Sequence, residues 1–411
     1  MRGQPYFGTG PTRRSLLAQA GVAGLALMSR PASADTAVDL PLPGGPTARP
    51  LTKDFPQKGE MILQRARPPL LETPFEVFDA SVFTRNDRFY VRWHWSGLPT
   101  AIDVEKYRLT VRGHVEKPLS LELKDILALP QVEIAAVNQC SGNSRGLFQP
   151  RVAGGQWANG AMGNARWSGV RLKDVLDLAG VKAGALQVRF SGLDDVVTTD
   201  APRFKKSLDV DHARDSEVMI AYAMNGEPLP LLNGFPLRIV VPGWYATYWI
   251  KMLSDVEVLE SADDNFWMKN AYLIPDTPRA SMTPGEAGVK MIPINHMVPR
   301  SFITNIRDGQ TIAANAPKLA RGMAFGGDSG VARVDFSSDG GKTWAEAELD
   351  NDEGKYSFRR WEISFSLGDK GPTALAVRCA NANGVVQPDA PNWNPSGFMR
   401  NVIEQMPVVV A

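Results

Sequence analysis

Val331-Ala332-Arg333-Val334-Asp335-Phe336-Ser337-Ser338-Asp339-Gly340-Gly341-Lys342-Thr343-Trp344 alternates apolar with polar residues, turns, and begins again. Ala332, Val334 and Phe336 fall on one face of a period-two strand. Asp339-Gly340-Gly341-Lys342 supplies the reversal, and Trp344 starts the next strand. Downstream, Trp361, Ile363, Phe365 and Leu367 alternate, and Leu375, Val377 and Cys379 share one strand face. Short strands at this spacing predict an all-β, immunoglobulin-like sandwich over residues 291–411.

Working back from that unit, the texture changes. Over residues 71–290 short apolar strands alternate with loops and a few helices. Leu172-Lys173-Asp174-Val175-Leu176-Asp177-Leu178-Ala179 predicts an amphipathic helix stopped by Gly180. Residues 219–224 and 237–241 read as buried strands punctuated by prolines. The overall class is α+β: a mixed domain followed by the sandwich. Residues 35–70 are rich in Pro and Gly with little periodicity and predict an extended arm over the domain surface. Residues 1–34 contain Thr12-Arg13-Arg14-Ser15-Leu16-Leu17, an apolar run over 16–28, and Ala32-Ser33-Ala34. That is the pattern of a cleaved twin-arginine signal peptide, so the expected address is the periplasm. The apolar run is shorter than the roughly 20 residues a membrane span needs, and no span is expected in the mature chain.

Bulk properties narrow the classes further. The 411 residues carry a net charge of +1. The first 34 hold four arginines and no acid, which leaves the remainder at −3. A nearly neutral chain gives no electrostatic footprint for nucleic acid. The two cysteines, Cys140 and Cys379, could form one disulfide, or be one special thiol and one buried bystander. Cys379, on an apolar strand face, reads as a core thiol. No Cys-x-x-Cys-His is present, so no covalently bound haem is expected in this chain. His94, His114, His212 and His296 do not cluster, and a surface hydrogen bond is the plain reading of His212.

Two stretches carry candidate chemistry. Asn138-Gln139-Cys140-Ser141-Gly142-Asn143-Ser144-Arg145 sets a thiol among small and polar residues with a guanidinium nearby. A cation favours the thiolate, and thiolates suit heavier redox metals; the plain alternative is a buried cysteine beside a turn. Arg88-Phe89-Tyr90-Val91-Arg92-Trp93-His94-Trp95 reads as one strand. Tyr90, Arg92 and His94 then share a face opposite Phe89, Val91, Trp93 and Trp95. The polar face is either solvated or lines an anion site.

Taken with Gly-Asn-Ala-Arg-Trp-Ser-Gly-Val at 163–170, Ile-Ala-Tyr-Ala-Met-Asn-Gly at 220–226, Gly-Phe-Pro-Leu-Arg-Ile-Val-Val-Pro-Gly at 234–243 and Gln-Pro-Asp-Ala-Pro-Asn-Trp-Asn at 387–394, these stretches resemble the sulfite oxidase family of mononuclear molybdenum enzymes. The likeness runs from about residue 60 to the C-terminus, and is nearest to the molybdopterin-bearing subunits of bacterial periplasmic sulfite dehydrogenases. It implies that residues 71–290 form a molybdopterin-binding catalytic domain. It also implies oxidation of sulfite to sulfate by oxygen-atom transfer at a molybdenum–molybdopterin cofactor, with electrons leaving singly to a c-type cytochrome.

Residue by residue, the resemblance makes Cys140 the protein ligand to molybdenum. It places Arg92, Arg145, Trp157 and Tyr272 in the substrate pocket. It assigns cofactor holding to Phe89, Arg92, His94, Asp194, Arg238 and Lys251. Two positions depart from the animal members: Asn233 stands where they carry a histidine, and Ser396 where the second domain sends in an arginine. No cytochrome-type domain precedes the resembling region, so the acceptor is expected to be a separate protein or a haem subunit; a homodimer through the sandwich is the other pairing the resemblance implies. Sulfoxide or nitrate reduction on the same scaffold is the alternative activity, and a non-catalytic binding module the alternative of another class.

Overall fold

Four packed sheets and a sandwich follow from the alternating patterns in the computed structural model of the chain, which describes residues 37–411. The twin-arginine stretch and the Ala-x-Ala site lie outside the described residues. Among those described, no helix is long and apolar enough to cross a membrane.

The stretch expected to lie as an arm is built into a sheet. Strands Ala37–Asp39, Ala48–Thr52, Met61–Arg65, Leu70–Glu72 and Val91–Arg92 pair in order. The arm's Leu40, Leu42, Met61 and Ile62 are buried. Local alternation is too short here to announce strands; pairs such as Leu51 with Ile62 stabilise it.

A second sheet runs Lys205–Asp209, Gln187–Gly192, Leu253–Leu259, Leu109–Gly113, Leu119–Leu121, with its one parallel pair between Leu253–Leu259 and Leu109–Gly113. The expected helix occupies Leu172–Ala179 and ends at Gly180, whose φ of +68° is the left-handed geometry of a helix stop. It buries Leu172, Val175, Leu176 and Ala179 on one face.

The third sheet places the thiol. Gln131–Gln139 pairs antiparallel with Met162–Arg171 in unbroken register from Gln131 opposite Val170 to Gln139 opposite Met162. Its first half is partly exposed and its last five residues are all buried, so the strand carries position 140 into the interior. Met219–Met224, wholly buried, lies on the other side of Met162–Arg171 and also pairs Arg238–Val240.

From Arg300 onward the chain forms two facing sheets around a separate core of Trp361, Phe336, Leu375, Val377, Cys379 and Val408. Burying a large apolar side chain contributes roughly 1.5–3 kcal/mol. Val334 and Phe336 point into this core as expected, but Ala332 is exposed. A bulge between Val331 and Arg333 shifts the alternation there. Strand Ala345–Glu346 begins one residue after Trp344. Cys140 and Cys379 are both free and buried; burial pushes the Cys379 thiol pKa up.

The two domains share packing. Val137 N–H donates to Tyr356 O at 2.8 Å, and Asn164 Nδ2 to Ser357 Oγ at 2.8 Å. Phe302, Phe325, Phe358 and Phe398 of the sandwich belong to the core of the first domain.

Candidate active site

Cys140 follows directly on the strand Gln131–Gln139 and lines a cleft together with Tyr90, Arg92, His94, Arg238 and Lys251. The thiol's backbone N–H donates to Ala161 O at 2.9 Å, and its carbonyl accepts from Asn143 N–H at 2.9 Å. Asn143 ties the turn further, with Nδ2 on Gln139 Oε1 and Oδ1 accepting from Ala161 N–H. Ser144 takes φ +67°, which the short turn requires. At Gly142 an added Cβ would sit 2.6 Å from the Arg145 guanidinium carbon. The glycine is therefore what lets Arg145 fold back over the loop.

The stretch 88–95 does not form one long strand; only Val91–Arg92 pairs, after a short helical turn at Asn86–Arg88. The expected parity survives because the chain remains extended: Tyr90, Arg92 and His94 line the cleft. Phe89, Val91 and Trp93 are buried on the other side. Of the two readings left open, the polar face is the one turned to a cavity. Arg238, Lys251 and Tyr272 complete the set of expected residues on its wall.

Three expected site residues lie elsewhere, and a fourth stands behind the wall. The Phe89 ring packs edge-on against Trp167 at 5.8 Å in the core, over Gly163. Parity places that ring away from the cleft. Trp157 is fully buried and does not line the cleft; its carbonyl accepts from Gly146 N–H. Asp194 is buried near Lys251, and its carboxyl pKa is raised by burial and lowered by the Lys251 charge. It is a counter-charge to the wall rather than part of it. Arg145 is also outside the lining, but its guanidinium interacts electrostatically with Cys140, Tyr272 and Arg92.

The electrostatics are those of an anion site. Burial and repulsion from Arg238 push the Lys251 pKa down, and burial brings Arg238 down to about 10. Burial, with Arg92, Lys251 and Lys206 nearby, holds His94 well below the usual histidine range and so neutral. His94 Nε2 lies 2.6 Å from Tyr272 Oη, and its ring stacks on Phe204 at 3.6 Å. Tyr272 adopts φ +57°, an uncommon conformation for a non-glycine residue.

Sequence reasoning missed three buried cations. Lys58, in the arm, donates to Asn86 O, Phe89 O and Asn233 Oδ1 at 2.8, 2.8 and 2.5 Å. Burial brings its pKa to about 7. Asn233, whose Nδ2 donates to Tyr90 O at 3.1 Å, is thus engaged on both ends of its amide. Lys206 donates to Trp267 O at 2.8 Å and lies 5.8 Å from the Tyr272 ring centre. The pair Lys205-Lys206 carries no sign that one of the two is buried. Arg300, from the sandwich, donates to Gln139 Oε1 and Ser144 Oγ at 3.3 and 3.1 Å, so it grips both ends of the Cys140 loop. An arginine heading the apolar strand Arg300–Ile303 was the available signal. His212 is partly exposed; its ring lies 4.6 Å from that of Trp244, and Asp215 at 3.6 Å is beyond hydrogen-bond length, so the expected surface hydrogen bond is not formed.

The oxidoreductase molybdopterin binding domain model matches residues 95–267, and the Mo-co oxidoreductase dimerisation domain model matches 291–410. The chain is similar to mitochondrial sulfite oxidase of Rattus norvegicus, 33% identical over 383 residues that cover 88% of this chain and 68% of that protein. It is 30% identical to sulfite oxidase of Arabidopsis thaliana over 356 residues, covering 80% of this chain and 88% of that one. An NADH nitrate reductase of Brassica napus is 30% identical over 76% of this chain but 37% of its own length. Among solved structures, the sulfane dehydrogenase SoxCD from Paracoccus pantotrophus superposes with a TM-score of 0.68 at 25% identity, covering 82% of this chain and 83% of that one.

The residues present fit a molybdenum–pterin group. Arg92 Nη1, Asn138 Nδ2, Ser141 Oγ and Arg238 Nε are buried without hydrogen-bond partners, and all four belong to residues lining the same cleft. Buried polar atoms are ordinarily paired, so such a cluster marks the place of a polar, anionic guest. The thiol of Cys140 among them adds the soft donor that a heavy redox metal takes.

Proposed function

The chain belongs to the sulfite oxidase family of molybdopterin oxidoreductases, and from that premise we propose that it oxidises sulfite to sulfate and passes the electrons one at a time to an external c-type cytochrome. The observation that carries this reading is the convergence of unpartnered buried donors and cationic side chains on the Cys140 thiol. Cys140 would be the protein ligand to the metal. Arg238 and Lys251, both lining the cleft, would hold the anionic part of the cofactor. When bound, the molybdenum–pterin centre supplies oxygen-atom transfer coupled to the uptake of two electrons, with water as the oxygen source.

The chain's own residues bind and orient the substrate. Sulfite is a small oxyanion. The free Nη1 of Arg92 offers it a charge-assisted hydrogen bond, stronger in a partly desolvated cleft than in water. Arg145 adds a second positive charge from behind the wall. His94 is held neutral. In the tautomer protonated on Nε2 it donates to Tyr272 Oη and leaves the phenolic hydrogen free for a substrate oxygen. Burial raises the Tyr272 pKa, so the hydroxyl keeps that proton at neutral pH and acts as a donor.

Export through the twin-arginine route, and pairing with a second copy or with a haem subunit, complete the proposal. The decisive assay is metal and pterin quantification on the purified protein together with sulfite-dependent reduction of a cytochrome c. Stoichiometric molybdenum with sulfite turnover is expected. A molybdenum-loaded protein that reduces nitrate or a sulfoxide and ignores sulfite would replace this reading with the other chemistry of the scaffold. A protein that binds no molybdenum would leave only a binding module.

A further inference from the structure

Residues 392–399 of the sandwich reach over the site and are fastened from several sides. Asn394 Nδ2 donates to Ala280 O and Phe398 O, both at 3.0 Å, while its Oδ1 accepts from Phe398 N–H at 3.1 Å. Asn392 Nδ2 adds a second bond to Phe398 O at 3.1 Å. Ser396 Oγ donates to Leu273 O at 2.9 Å, and Met399 N–H donates to Ser141 O at 3.3 Å. The segment is therefore bonded to the residue after Tyr272 and to the residue after Cys140.

Held in this way, the Phe398 ring lies parallel to the Tyr272 ring, with centres 5.4 Å apart and planes 4° from parallel. The guanidinium carbon of Arg145 lies 5.1 Å from the same ring centre, and Arg145 Nε donates to Ser396 O at 3.1 Å. Two groups assigned to the substrate are thus joined through one buried aromatic ring from the other domain. A ring attracts a guanidinium by its quadrupole and offers no lone pair. It can fix the pose of Arg145 behind the cleft wall without neutralising its charge. Arg145 Nη1 makes only a long 3.4 Å contact with Gly155 O.

We infer that Phe398 is a positioning residue for the substrate pocket, an aromatic wedge between Arg145 and Tyr272 that sets the orientation of both for an oxyanion. The inference rests on the reading of sulfite as substrate. The second domain thus packs a neutral ring, two residues beyond Ser396, against both Tyr272 and Arg145.

The test uses the full-length, molybdenum-loaded protein and three variants, Phe398→Ala, Phe398→Leu and Phe398→Tyr. Sulfite KM and kcat are read by cytochrome c reduction, and the sulfate dissociation constant by calorimetry. Loss of the stacking and cation–π contacts should raise both KM and the sulfate constant roughly tenfold in the Ala variant, with kcat within about twofold. The Leu variant keeps bulk but no π face and should behave the same way; it serves if the Ala variant does not fold. The Tyr variant should return to within about twofold of the parent, because the ring face is retained. Unchanged KM and sulfate affinity in the Ala and Leu variants would overturn the inference, as would a loss confined to kcat or a Tyr variant as weak as Ala. A parent protein that binds sulfate yet does not turn over sulfite would sink the substrate reading instead, and the sulfate constants would still decide the role of Phe398.

Discussion

Cys140→Ser should fold and keep its cleft but lose sulfite turnover by more than about a hundredfold. Partners that merely orient metal ligands typically cost 10–100-fold when removed, and position 140 is here the proposed ligand itself. The substitution exchanges sulfur for oxygen at a site whose backbone is fixed by Ala161 and Asn143, so the turn has no reason to move. A hydroxyl is a poorer partner than a thiolate for a soft metal, and it does not ionise at neutral pH. Near-normal turnover in a Ser variant shown by analysis to carry molybdenum would count heavily against the assignment. Loss of turnover with loss of the fold, read by circular dichroism, would leave the ligand role unsupported.

The second large effect is expected at Arg92. Arg92→Gln removes the one cation on the Tyr90–Arg92–His94 face of the cleft, and with it the unpartnered Nη1. A hydrogen bond to a charged group is worth about 1.5–3 kcal/mol, so the sulfite KM should rise by roughly 10- to 150-fold. Because the same bond is made in ground state and transition state, kcat should fall less than kcat/KM. Arg92→Lys keeps the charge but loses the planar fork and should lie between the two. Arg145→Gln should also raise KM, by loss of charge at longer range. Unchanged KM in both Gln variants would place the substrate pocket elsewhere.

Much of this site could be read before any fold was known, and the reasons are local. Extended backbone alternates its side chains whether or not a neighbouring strand pairs with it. Parity therefore put Tyr90, Arg92 and His94 on one wall although only two residues there form a ladder. The helix at Leu172–Ala179 announced itself by its period and its glycine stop. What stayed hidden depends on distant partners. Residues 37–65 form strands only because the chain folds back on itself, and nothing in their composition says so. Nothing around Lys58 or Lys206 signals their burial, since desolvation is decided by packing from elements far away in sequence. Phe89 and Trp157 were carried over by likeness to relatives, and their rings do not line the cleft in this chain.

Molybdenum K-edge absorption on the native protein and on Cys140→Ser, both loaded with metal, tests the bond on which the whole assignment turns. The expected result is a native metal with one more sulfur neighbour than the variant, the lost scatterer being the thiolate of position 140. An identical sulfur count in the two proteins would contradict it.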